Sequence, residues 1–428
     1  MKTTLLACAI ATCFSAPVMA QSSIVIYGIA DAGLVYQDTG GGPKTKIASG
    51  IADGSRLGFK GTEDMGGGYK AIFNLEARVE LDTGGQQPTL MNDNQGFYLT
   101  RGMEAFGPAL PLIQRALQVP GSPAVNRSNA LFDRTSMVGL ITPVGAVLLG
   151  RMYTPGYEVF AAADAFESGT AGQWGNVTGG AAGFTALGAD IRSDNAIQYR
   201  IVHPSGLGGA FMYGAQDSGY IGLYKKFLAA NVVYKANGWD VGIGHNRGYD
   251  MKNNTSLTTT TVGGSYSLNN MKFFAGYHDQ RDRHSGLLDT YIAGYDNSIA
   301  PALARNPNLS DNDRAALRNV FVTNITRNTQ IDAAALSIGM HYRIGAGRII
   351  GSVSHQNDRS ASNNDATQYA LGYDYNLSKR TDVYAVAAYI KNQNEGQYAP
   401  GIAGSPGGFV KVPGESARAI NLGIRHRF

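Results

Sequence analysis

The chain has 428 residues, a formal net charge of +4 and only 16% charged residues, a near balance that does not suggest a nucleic-acid partner. Its two cysteines, Cys8 and Cys13, both fall within the first twenty residues. The remainder therefore has no thiol for a disulfide framework, Cys-ligated metal or thiol catalysis.

Residues 1–20 read as a secretory signal peptide. Lys2 supplies a positive start, residues 5–14 (LLACAIATCF) a short apolar stretch, and Val18-Met19-Ala20 a small-residue cleavage site. The rival reading is lipidation at Cys8 within Leu5-Leu6-Ala7-Cys8, which would leave almost no apolar stretch before the cut. A mature chain from Gln21 is expected, with residues 21–428 as one domain. No linker divides it, and no later run of about 18 apolar residues suggests a membrane helix.

From residue 24 onward the chain alternates. In 69–81, Tyr69, Ala71, Phe73, Leu75, Ala77, Val79 and Leu81 share one face, while Lys70, Asn74, Glu76, Arg78 and Glu80 share the other. A side-chain period of two means a strand with one apolar and one polar face. The pattern recurs in 336–344 and 367–377. It recurs again in 421–428 (NLGIRHRF), where Leu422, Ile424, His426 and Phe428 oppose Asn421, Gly423, Arg425 and Arg427.

The strands are predicted at 24–37, 52–62, 69–81, 131–141, 146–154, 194–203, 207–217, 225–236, 239–249, 257–268, 271–283, 330–344, 348–359, 366–377, 381–393 and 416–428. Tight turns alternate with mostly longer connections near 39–50, 83–129, 155–191, 284–328 and 395–414. Short turns on one side and long loops on the other describe a transmembrane β-barrel. The fold class is thus all-β: a 16-stranded antiparallel barrel with short periplasmic turns and long extracellular loops. A barrel this wide encloses an aqueous lumen, with polar faces on water and apolar faces on lipid. The last strand should pair with the first and leave no open edge. Phe428 would then sit in the periplasmic aromatic girdle.

Several stretches resemble the general porins of Gram-negative bacteria, in particular the trimeric porins of beta-proteobacteria. They are SSIVIYGIADAGLVY (22–36), GSRLGFKGTEDMGGGYKAIFNLE (54–76), LFDRTSMVGL (131–140), LLGRMYTPGYE (148–158), RSDNAIQY (192–199) and NLGIRHRF. The resemblance implies an outer-membrane, water-filled channel for passive diffusion of small hydrophilic solutes and ions. It implies a homotrimer in contact with lipid and lipopolysaccharide, a third long loop folded into the lumen, and no cofactor. A terminal aromatic resembles the signal read by the barrel-assembly machinery, which makes that machinery a partner through Phe428.

By the same resemblance Arg56, Arg134 and Arg192 match the basic cluster of the constriction, and Glu76 matches the carboxylate beside it. Arg151 is a further basic candidate, and Glu158, Asp164 and Glu167 are candidate loop acids. Periodicity supports part of this independently. Arg56 opposes Leu57 and Phe59, Glu76 lies on the polar face of its strand, and Arg192 shares parity with Gln198 and Arg200. Arginines facing water in a narrow gap favour anions. The pore is expected to prefer anions. The alternative is a substrate-specific channel, and a barrel enzyme is a third reading.

Residues 96–129 depart from the family pattern. They are longer and more apolar than expected, and LIQRALQV (112–119) suits one or two helical turns. Residues 309–322 suit another helix, with Ser310 as N-cap. Other constellations fall short. No histidines show metal-ligand spacing on one strand face, and His278 and His284 read as a solvated rim. His284-Ser285 has no third partner for hydrolysis. Asp311-x-Asp313 lacks the further acid and the glycine of a calcium loop, and no phosphate-binding glycine motif is present.

Overall fold

The computed structural model describes residues 23–86, 94–117, 130–178, 191–219, 223–403 and 407–428. The expected signal peptide, 1–20, lies outside the described residues, as do 118–129 of the long second loop. Seventeen hydrogen-bonded segments form one closed antiparallel sheet. They are β1 (Ser23–Asp38), β2 (Lys44–Ser49), β3 (Arg56–Gly66), β4 (Tyr69–Arg78), β5 (Thr135–Thr142), β6 (Gly145–Tyr153), β7 (Arg192–Val202), β8 (Leu207–Gly219), β9 (Lys226–Ala236), β10 (Trp239–Tyr249), β11 (Thr255–Leu268), β12 (Met271–Asp282), β13 (Ile331–Ile344), β14 (Gly347–Asp358), β15 (Ala366–Asn376), β16 (Thr381–Asn392) and β17 (Ala417–Arg427).

β2 and β3 are two halves of one barrel strand. β1 pairs with β3 from Ser23↔Thr62 to Ile29↔Arg56, and then with β2 from Ala32↔Ser49 to Gln37↔Lys44. The barrel therefore has sixteen strands. Residues 44–49, expected within a loop, lie in the sheet, and the break falls at 50–55. There Asp31, buried on β1, accepts from the Ala52 and Asp53 amides at 2.8 and 2.6 Å. These bonds hold the 50–55 segment on the inner face, where a continuous ladder would have run straight on.

Closure follows from β1 against β17, in register from Ile29↔Arg427 to Asp38↔Arg418. Beyond the ladder, Gly28 and Phe428 exchange both backbone hydrogen bonds at 3.1 Å. The Phe428 ring covers Gly28 so closely that a Cβ there would lie 2.3 Å from Cζ. Glycine is needed for this seam to seat its aromatic residue.

The two faces of the wall carry inverted polarity. On β13, Leu336, Ile338, Met340 and Tyr342 are exposed on the outside, while Ser337 and His341 are buried within. β7 repeats this with Ile197, Tyr199 and Ile201 outside and Gln198 inside. Such rows of exposed apolar residues would be an aggregation hazard in water; against lipid they are the stabilising surface. The turn at Asn237-Gly238, with φ of 54° and 83°, is the tight hairpin that its sequence specifies.

The connections on the opposite side are numbered L1 to L8, of which five matter here: L1 (39–43), L2 (79–134), L3 (154–191), L6 (283–330) and L8 (393–416). L3 opens with the helix Pro155–Ala162, where Thr154 Oγ1 accepts from the Tyr157 amide at 3.2 Å. It enters the lumen and packs Phe160 and Trp174 against His278, with centroids 5.0 and 6.1 Å from the imidazole. His278 is thus buried under L3, not at a solvated rim. The reading from DQRDR failed because it took the charged neighbours, which continue the strand, for its end.

L2 holds a helix at Leu110–Leu117 and L6 one at Asp311–Asn328. Ser310 caps the latter in a reciprocal box with Asp313. This helix runs six residues beyond the predicted 322, because Phe321 and Ile325 bury themselves in a tertiary core.

Candidate functional site

Six strands, β3, β4, β6, β7, β8 and β9, and the inward loop L3 converge on a cavity of about 610 Å³ inside the barrel. β3 supplies Arg56, β4 supplies Arg78, and the residue before β5 is Arg134. β7 supplies Arg192 and Arg200, and β9 supplies Lys235. Facing them are Asp53 from the 50–55 segment and Glu158 and Glu167 from L3.

Register explains the grouping. Arg56 lies directly opposite Arg78, and Tyr153 directly opposite Arg192. The Arg192 guanidinium sits 4.2 Å from the Tyr153 ring centroid and donates from Nη2 to the phenol of that tyrosine at 2.6 Å. Arg134 Nη2 donates to the same oxygen at 3.3 Å, and its Nε donates to Glu76 Oε1 at 2.6 Å. Arg56 lies 3.7 Å from the other Glu76 oxygen and also pairs with Asp53. One buried carboxylate and one phenol therefore hold three guanidiniums side by side, and this lowers their mutual repulsion.

Glu76 lies behind the arginines and does not line the cavity. Arg151 stays outside it too: its Nε donates to the Asp133 carbonyl at 2.6 Å and its Nη1 to Asp194 at 2.5 Å. The cause is a bulge between Gly150 and Met152, which breaks the alternation and brings Tyr153, rather than Arg151, to the lumen.

Among the loop acids, Glu158 pairs with Arg200 and accepts from Asn231 Nδ2 at 3.1 Å. Glu167 lies deep in the barrel yet remains half exposed to its interior. Burial works against its charge, but Arg348 donates two hydrogen bonds at 2.7 and 3.0 Å and holds the carboxyl down at about 2. Asp164 is a correction to the expected set. It is 1% exposed and does not line the cavity. Its oxygens accept from the Phe166 and Ser168 amides at 2.9 and 3.0 Å. Burial pushes its carboxyl up to about 7, against those amides. Asp164 shapes the L3 turn.

Sequence reasoning did not single out Arg78, Arg200, Lys235, Asp53, Tyr153 or Tyr157. Strand parity carried a signal for Arg78, which shares a face with Glu76, and for Arg200, which shares one with Gln198. Tyr153 and Asp53 depend on a bulge and a strand break that periodicity does not reveal. Tyr157 lies on a loop helix, where a period of two does not apply.

A Gram-negative porin family model matches residues 4–395. The chain belongs to that family. Over its full length this porin is 26% identical to outer membrane porin protein 32 of Delftia acidovorans and 24% identical to an outer membrane porin protein of Bordetella pertussis, each also covered in full. Among solved structures it superposes on an anion-selective porin from Comamonas acidovorans with a TM-score of 0.65 at 22% identity, over 95% of this chain and 100% of the other. It also matches the trimer form of OmpT from Vibrio cholerae with a TM-score of 0.56 at 14% identity, over 95% and 99%. These two likenesses support the barrel fold. This porin is an outer-membrane channel, crossing the membrane with its strands, and its relatives are channels rather than enzymes.

Proposed function

We propose that the arginine-lined cavity is the constriction of this porin, through which small hydrophilic solutes and ions diffuse passively with a preference for anions. The observation that carries the reading is the charge of the lining. Among the described residues the cavity lining sets Arg56, Arg78, Arg134, Arg192, Arg200 and Lys235 against Asp53, Glu158 and Glu167, with Glu76, Glu80 and Asp133 paired behind the arginines. Low-dielectric walls focus that excess of positive charge on the passing ion. Arginine keeps its charge at any working pH, so the filter does not titrate away. The anion-selective Comamonas relative supports the same preference.

The functional unit in this reading is a homotrimer in outer-membrane lipid and lipopolysaccharide, exported by way of residues 1–20. The barrel-assembly machinery reads the strand that ends at Phe428. The test is the reversal potential of the purified protein in a planar bilayer under a KCl gradient. A potential on the chloride side is expected. Arg56→Glu with Arg192→Glu should drive it toward potassium, whereas a cation-selective wild type would overturn the arginine assignment.

A further inference from the structure

Lumen-facing wall positions are polar around most of the barrel, as Gln198, Thr261, Gln280, Ser337, Gln356 and Gln368 illustrate. They turn apolar beneath L3, where Phe274, Ile350 and Val386 meet Phe166, and in a second patch on the β8–β11 side. Met212 on β8, Phe227 and Ala229 on β9 and Leu257 on β11 are at most 2% exposed. Helical segments of L2 and L6 lie on them. Leu99, Met103 and Ile113 from L2 join Tyr295, Phe321 and Ile325 from L6 in a single core with that wall. Asn328 Nδ2 ties the two loops together by donating to the Leu99 and Arg101 carbonyls at 3.0 and 2.9 Å. An apolar lumen wall would be unfavourable against water, so this patch is built for a permanent occupant.

L8 occupies the opposite side. Gln37 Nε2 on β1 donates to the Pro400 carbonyl at 2.6 Å, and Gln356 on β14 donates to the Tyr398 hydroxyl at 2.5 Å. L2 reaches it from the first side. Asn94 Nδ2 donates to the Phe409 carbonyl at 2.9 Å and to Thr39 Oγ1 of L1 at 3.3 Å. The Tyr98 and Phe409 rings lie 5.3 Å apart, and Arg101 Nη1 donates to the Glu395 carbonyl at 3.2 Å. L2, rooted between β4 and β5 and seated on the β8–β11 patch, thus meets L8, rooted between β16 and β17, at the extracellular end through rings and backbone carbonyls.

We propose that residues 94–117 of L2 form a strut across the mouth of this porin, and that the passage it leaves is a second constriction in series with the arginine-lined one. The contacts that form the strut are mostly neutral, aromatic rings and amides, with one guanidinium bonded to a carbonyl and the Lys411 ammonium 5.3 Å from the Phe97 ring centroid. It therefore selects by size, whereas the deeper constriction selects by charge. The residues that determine this size limit are Asn94, Tyr98 and Phe409. The inference rests on the channel reading but not on the sign of its selectivity.

The experiment is single-channel conductance of the full protein, with neutral polyethylene glycols of graded size added to one side at a time. Tyr98→Ala with Phe409→Ala should raise conductance about two-fold and admit larger polymers from the extracellular side, with the reversal potential unchanged. Unchanged conductance and unchanged polymer cut-off in the double variant would overturn the strut. A reversal potential that moves with the conductance would also overturn it, since the charge filter would then be what had changed. Should the variant fail to fold, the wild type decides. Two constrictions in series, separated by a vestibule, require a smaller cut-off from the extracellular side than from the periplasmic side. Equal cut-offs would sink the proposal.

Discussion

Two stretches of the same lumen wall follow opposite rules. Between β3 and β7 many inward positions are charged, each of those arginines is held by a carboxylate, phenol or carbonyl, and the remaining surface faces the cavity. Between β8 and β11 some inward positions are Met212, Phe227, Ala229 and Leu257, sealed beneath loop helices. The strands themselves do not differ in kind. What differs is the medium that each wall meets: water on one side, a protein core on the other. In a wide barrel the lumen face therefore reports its local filling, and the polarity of a strand face records where loops dock as well as where solutes pass.

Removing one member of each region tests that contrast. Arg134→Ala should have the largest effect, destabilising the fold by about 3–5 kcal/mol, because Glu76 is left buried with only the more distant Arg56 and Arg192 to balance its charge. Thermal unfolding in detergent would show it, and adding Glu76→Gln should recover much of the loss. A stable single variant would mean that water reaches Glu76 and that the charged wall is wetter than its burial implies. On the other wall, Phe321→Ala should cost the cap that the L2 and L6 helices form there about 3 kcal/mol. Hydrogen exchange should rise across 288–328 while the barrel strands keep their protection. If the strands lose protection too, the cap and wall are one cooperative unit, and the two regions cannot be treated separately.

At the seam, Gly28→Ala should cost about 1–3 kcal/mol by forcing Phe428 off its seat. It would be read as a lower melting temperature with selectivity intact. The smallest effect expected is on pH. The Asp164 carboxyl, pushed up by burial from 3.8 to about 7, lends L3 stability that is complete below 3.8 and lost as pH rises through about 7. Glu167, held down from 4.5 to about 2, acts the other way, with a contribution present above 4.5 and lost as pH falls through about 2. Exchange protection in 155–178 should therefore be higher at mildly acidic pH than at alkaline pH. Asp164→Asn should flatten that slope; an unaltered slope would assign it to another group.

Much of the barrel was legible because a strand between lipid and water must alternate. The run 421–428 shows this: Leu422, Ile424 and Phe428 lie outside and Asn421 and Arg425 inside, as their spacing requires. Arg56 and Arg192 were legible for the same reason. Arg151 was misplaced because the register between β6 and β7 shifts there, with Asp194 and Asn195 of β7 standing against Arg151 alone, and such a shift leaves no mark on composition. Asp164 was misplaced because a loop has no period. Its acid could equally have faced the pore or its own backbone amides.

The sequence by itself determined the sixteen strands, their two faces, the side on which the long connections lie and, among the lumen arginines, Arg56 and Arg192. These are local consequences of a period of two and of turn chemistry. The tertiary structure decided which charges share one cavity, which acid lies behind them and which merely shapes a turn. It also decided that L2 crosses to L8. Those outcomes depend on register, on a bulge, on a strand break and on contacts between residues hundreds of positions apart, such as Asn94 with Phe409. No local pattern encodes them, because their energies arise only once the barrel has closed and fixed the loop roots around a common lumen.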